Sequence, residues 1–179
     1  MIANPKNSKS AEVWYVKGKT YSAIAMSPTD RDANPEARMT SLEAFKKSQE
    51  LDKNAFLLYA SADNYQPIFN LYTSGFEAGA NLYNTEKYDE ALTTFKNTNT
   101  VGEYIFSHIC GLYKLDTTVT YYSALSAMNA KKEDEAVMYF TKLADANVGG
   151  SPENATAYRF LAKYYYDKKD EANMMKYIN

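Results

Sequence analysis

Along this chain large apolar side chains recur three and four residues apart, the spacing of one helix face, and not in strict alternation. Tyr121, Leu125 and Met128 form one such run, and Tyr158, Leu161 and Tyr165 form another. Short polar segments divide the runs. Ser27-Pro28-Thr29-Asp30-Arg31-Asp32-Ala33-Asn34-Pro35, Asn84 to Lys87, Asn129 to Lys132 and Asp167 to Lys169 each read as a turn between helices. Asn34 is placed to cap a helix opened by Pro35, Gln66-Pro67 opens a long helix, Asp116 caps the next, and Ser151-Pro152 starts another. Gly149-Gly150 predicts a stop, because glycine enters the left-handed region cheaply. Asn54 to Tyr65 reads as a connector, partly helical, and Thr100 to Leu115 as a second one, after a helix from about Tyr88 to Asn99. With seven Gly and five Pro among 179 residues, the expectation is an all-α chain.

One tripeptide marks a repeat. Asp89-Glu90-Ala91, Asp134-Glu135-Ala136 and Asp170-Glu171-Ala172 each follow a polar turn, and the first two continue to a phenylalanine four residues on, Phe95 and Phe140. In the third copy that place is held by Lys176. Upstream, Trp14-x2-Lys17-Gly18-x2-Tyr21 is followed by Ser41-x3-Phe45-x2-Ser48-x2-Leu51. Gly75-x2-Ala78-Gly79-x2-Leu82, Thr120-x2-Ser123-Ala124-x2-Ala127 and Tyr158-x2-Leu161-Ala162-x2-Tyr165 repeat the first of these frames.

These segments resemble the two-helix signature of the tetratricopeptide (TPR) repeat family, W-x2-L-G-x2-Y followed by A-x3-F. Lys17 departs from it, where the family prefers an apolar residue. Glycine costs about 1 kcal/mol inside a helix; the resemblance implies that Gly18 is small so that the partner helix can pack against it. It further implies a right-handed superhelical solenoid. A single TPR-like domain would span 1–179, with repeats at about 11–53, 66–102, 116–149 and 152–179, the last incomplete, as a piece of a longer array. The Ala91–Ala136 and Ala136–Ala172 spacings, 45 and 36 residues, make the array irregular.

Composition narrows the chemistry. A net charge of −2 with scattered lysine pairs gives no basic stripe for nucleic acid, and no apolar run approaches the roughly 20 residues of a membrane span. A soluble chain follows, cytoplasmic, or exported if an upstream signal has been removed. Cys110 is the single cysteine, and His108, two residues away, is the single histidine. On a helix they point apart, so a shared metal or a Cys-His nucleophile is not expected. Gly149-Gly150 lacks the Lys-Ser/Thr of a phosphate-binding loop, and Asn154-Ala155-Thr156 is a formal glycosylation sequon in a first helical turn. The Asp-Glu pairs have the composition of a glycosidase acid pair. Their recurrence at helix starts fits carboxylates favoured by the helix dipole better. No catalytic residue, cofactor or metal is assigned, and the chain is expected not to be an enzyme.

The resemblance implies that first helices line a concave groove, with Tyr15, Phe76, Tyr121 and Arg159 leading and Lys19, Tyr83, Asn84, Leu125, Met128, Lys163 and Tyr166 further along. The leading places lack the Lys and Asn with which co-chaperone members grip a terminal carboxylate. The expected function is a scaffold that binds a protein or peptide partner. The alternative, suggested by the 17 tyrosines, is a glycan- or small-ligand-binding helical-repeat protein of a bacterial uptake system. The C-terminal helix around Met174, Met175, Tyr177 and Ile178 is an expected site of self-association.

Overall fold

A computed structural model describes residues 7–111, 115–146 and 151–178. The Gly149-Gly150 stop and the N-terminal hexapeptide lie outside them. The described residues form helices and turns without a strand, and their contacts cluster into two compact units, Met1–Glu77 and Ala78–Asn179.

The first unit holds α1 (Ala11–Met26), α2 (Ala37–Leu51), α3 (Lys53–Ala62) and the first part of α4 (Gln66–Asn84). Ser10 caps α1 by accepting the Val13 amide at 3.4 Å, and Asp52 caps α3 by accepting the Asn54 and Ala55 amides at 3.0 Å. The connector at Asn54 to Tyr65 is thus mostly helix. The α2 start differs from expectation. Asn34 spends its side-chain amide on the Asp30 carbonyl (2.8 Å) and its own carbonyl on the Ala37 amide, so the helix begins at Ala37. Phe45, Phe56, Ile68 and Leu71 are fully enclosed in this unit's core.

Gly18 explains how α1 and α2 meet. A Cβ built there would lie 2.5 Å from Phe45 Cε1, so the absent side chain is the seat of the phenylalanine ring. The two serines on alanine places of the repeat frame also work across this contact. Ser41 Oγ donates to the Gly18 carbonyl and Ser48 Oγ to the Ala11 carbonyl, each at 2.7 Å and buried. Lys17 keeps its charge at the apolar place by lying over the Trp14 ring, 4.9 Å from its centroid, and towards Tyr21.

The second unit comprises the rest of α4, then α5 (Tyr88–Tyr104), α6 (Thr117–Asn129), α7 (Glu133–Asp145), α8 (Pro152–Asp167) and α9 (Glu171–Met175). From α5 onward each helix packs on the next. Gly79 repeats the role of Gly18, its missing Cβ standing 2.6 Å from Phe95 Cε1. Asp116 caps α6 (3.0 Å to the Val119 amide) and Ser151 caps α8 (3.1 Å to the Asn154 amide), as their sequence positions predict. The helix expected to end near Asn99 continues to Tyr104 and then through a wider π-turn, Ile105–Ile109. Phe95, Thr98, Val101, Gly102 and Ile105 are all buried, so the buried face runs on through the polar Asn-Thr-Asn-Thr stretch, with Thr98 itself inside.

Three turns in this unit are built alike. The Lys87, Lys132 and Asp170 amides each reach back five residues, to the Leu82, Ala127 and Tyr165 carbonyls, all at 2.9 Å. The residue before each adopts a left-handed backbone: Glu86 (φ 62°), Lys131 (φ 59°) and Lys169 (φ 59°). This is the Schellman helix stop, made here without glycine. Leu82, Ala127 and Tyr165 end the three first-helix frames, so the frames and turns share one register.

That register corrects the reading of the third tripeptide. Counted from the turn, Asp89 and Asp134 are second residues of their helices, whereas Asp170 is the cap of α9 and accepts the Asn173 amide at 3.1 Å. Ala91 and Ala136 are fully buried; Ala172 is exposed. In the turn's register Met174 matches Ala136, Ile178 matches Phe140, and Lys176 matches Met138, which is itself exposed. The lysine does not replace the phenylalanine; the triplet is shifted by two residues.

Candidate partner-binding face

The residues expected to line a groove divide between the two units, and the structure gives them different surroundings. In the first unit Tyr15 is not at a surface. It is 4% exposed, packed among Phe45, Phe56 and Tyr59, and its hydroxyl donates to Asp63 Oδ2 at 2.8 Å. Burial, and then that bond, push its phenol well above the usual range. Lys19 is exposed but engaged, its ammonium 2.7 Å from the Asp63 carboxylate. The Lys19 ammonium and the Tyr15 hydroxyl together hold the Asp63 carboxyl below its ordinary range. Tyr15 and Lys19 thus tie α1 to the end of α3. Asp63, which the sequence offered only as part of a connector, organises both. Phe76 is half-buried on α4.

In the second unit the aromatic residues split between core and surface. Tyr83 is half-buried; its ring meets Tyr88 and Tyr122 edge-on, and its hydroxyl accepts the Asn129 side-chain amide at 3.0 Å. Burial raises its phenol pKa, and the Asn129 bond works against that rise. Tyr122 stacks on Phe95 (5.6 Å between centroids) and Tyr121 leans on Tyr122. Asn84 is exposed at the end of α4.

Tyr121 and Leu125 lie partly buried against the core shared by Ala124, Phe140, Ala157 and Leu161, and Met128, one turn on, is 38% exposed. The same places on α8 carry Arg159, Lys163 and Tyr166, all exposed, with Tyr166 at 70%. Helices α6 and α8 touch; the α6 residues are apolar, and the α8 residues are an arginine, a lysine and a tyrosine. Lys163 is paired with Asp167 at 2.6 Å, while Arg159 makes only a 3.4 Å bond to Thr156 Oγ1.

Comparison of the chain with protein-family models, with curated proteins and with solved structures finds no match. The face is therefore read on its own chemistry. Among the described residues no group of three or more His, Cys, Asp or Glu side chains is placed to hold a metal. No helix among them is long and apolar enough to cross a membrane. His108 stacks on Tyr104 at 5.0 Å, and its Nδ1 is 2.6 Å from Ser107 Oγ. That hydroxyl also lies within hydrogen-bond distance of the Glu103 carbonyl. Of the repeated acids, Asp89 pairs with Lys132 (2.7 Å) and Glu135 with Lys96 (2.8 Å), and Glu133, just before the second copy, pairs with Lys168 (3.1 Å).

Tyr165 and Tyr177 are nearly parallel, 5.9 Å apart at 6° between planes. A sugar ring sandwiched between two aromatic faces needs about 7–8 Å, twice a normal carbon contact. The two rings pack on each other and leave no slot.

Proposed function

We propose that the chain is a non-catalytic scaffold of TPR-like helix pairs that captures a protein or peptide partner on the face formed by α6 and α8. The observation that carries this reading is the seating of Phe45 and Phe95 over Gly18 and Gly79, the place that the repeat signature keeps small. The three matching turns add to it, because they return each first helix to its partner in one register. First helices in such pairs keep one side free for a ligand. Here that side carries Tyr121, Leu125 and Met128 on α6 and Arg159, Lys163 and Tyr166 on α8. Tyrosine, methionine and arginine are the residue types enriched where proteins bind one another. Tyr83 and Asn84 continue the same phase on α4.

The test is capture with the full chain as bait from extracts of its own cells, beside a Leu125→Asp/Tyr166→Ala double variant. The expected outcome is a partner retained by the wild-type chain and lost by the variant, with both showing the same helical circular dichroism and cooperative melting. Equal retention by a folded variant would remove the α6/α8 face from the function.

A further inference from the structure

Resting on the scaffold reading above, the occupant of the α6/α8 face can be specified by charge. We infer that it is an amphipathic protein segment that sets acidic side chains beside apolar ones, and that Arg159 receives a carboxylate from it.

Helix α6 carries no ionisable group other than tyrosine between Thr117 and Asn129. Its Tyr121, Leu125 and Met128 offer apolar area without charge. On α8, Arg159, Lys163 and Tyr166 stand at i, i+4 and i+7, so they share one helix face. Asp167 is the acid nearest that row, and it is already bonded to Lys163. Arg159 has no acidic partner among the described residues, and its bond to Thr156 Oγ1 is long. Asp116 and Glu153 stand at the helix starts, and Asp116 is used in capping the Val119 amide.

A purely apolar occupant would cover Arg159 and strip its water without replacing it, which is costly for a guanidinium. A basic occupant would meet Arg159 head-on, with the neighbouring Lys163 already paired to Asp167 and no free carboxylate in that row to receive it. A carboxylate satisfies the guanidinium with two parallel N–H···O bonds, while the apolar side chains of the same segment reach Leu125 and Met128. Two cations do not make a track for a phosphate backbone, and the apolar α6 stripe has nothing to offer one.

The test is fluorescence anisotropy with the full chain and three labelled probes. The first is a peptide of about four helical turns with Leu and Phe on one face and Glu elsewhere. The second replaces every Glu by Lys, and the third is a single-stranded oligothymidylate. The expected result is saturable micromolar binding of the acidic peptide alone, weakened by salt and reduced about tenfold or more by Arg159→Glu, a loss of about 1.4 kcal/mol. Equal or tighter binding of the lysine peptide or the oligonucleotide overturns the inference, as does an Arg159→Glu variant with unchanged affinity. Absence of any binding by the acidic peptide also overturns it. The scaffold reading is judged apart from this, by whether Leu125→Asp/Tyr166→Ala abolishes capture of the cellular partner.

Discussion

Helix pairs α6/α7 and α8/α9 are joined by the same left-handed turn and carry the same tripeptide, yet only the first builds a core. In α7 the buried Ala136 and Phe140 close over Ala124 and Phe160, with the two phenylalanine rings 4.4 Å apart. In α9 the tripeptide comes two residues earlier relative to the turn, so its alanine faces water and its aspartate becomes the cap. The helix is five residues long, and Ile178, at the place of Phe140, is 58% exposed. A shift of two residues turns a helix face by roughly 200°, enough to exchange inside for outside. The turn sets register, and the register decides which residues of a repeated motif are packed.

The strongest way to test this contrast is truncation at the matched places. Phe140→Ala should cost about 3–5 kcal/mol, because it empties a fully enclosed site. Ile178→Ala should cost less than about 1 kcal/mol, since an exposed residue lies off the short list of severe mechanisms. Chemical denaturation of the two variants measures both, and similar losses would refute the register.

A smaller effect separates the pairs that use glycine, at Gly18 and Gly79, from those that use alanine, at Ala124 and Ala162. Gly79→Ala gains about 1 kcal/mol of helix propensity but drives a methyl into the Phe95 ring, an overpacking cost of about 1–3 kcal/mol. The expected net change is a loss. Ala124→Gly, at the same frame position in the core with Phe140, should lose about 1–2 kcal/mol, from helix propensity and from the buried methyl it removes. Thermal melts of both variants check the signs; a stabilised Gly79→Ala chain would mean that the phenylalanine seat gives way freely.

The smallest effect lies in the turns. Lys131→Gly and Lys169→Gly remove a side chain from a left-handed residue and should each stabilise by up to about 1 kcal/mol. The gain should appear in global stability for Lys131, which anchors the packed α7. For Lys169 it should appear mainly as slower amide exchange in α9. Equal effects on global melting would erase the contrast between the two pairs.

Much of this was legible in the chain. Helix starts at Asp116 and Ser151 followed from capping chemistry, and the repeat resemblance implied a close approach at Gly18, with Gly79 at the same place of the next frame. The face residues were legible only in part. The repeat resemblance set Arg159, Lys163 and Tyr166 beside Tyr15 on one expected surface; the first three are exposed, and Tyr15 is enclosed. Its burial depends on Phe56 and Asp63, residues 41 and 48 positions away whose approach no local pattern encodes.

The sequence by itself determined that the chain is helical and where most helices begin, because capping and periodicity are local. Only the tertiary structure decided register and exposure. It placed the third tripeptide two residues out of phase, carried α5 past its polar stretch on a buried face, and paired Lys19 and Tyr15 with Asp63. Each of these outcomes depends on hydrogen bonds and burial between segments distant along the chain, and such energies have no signature in any one segment.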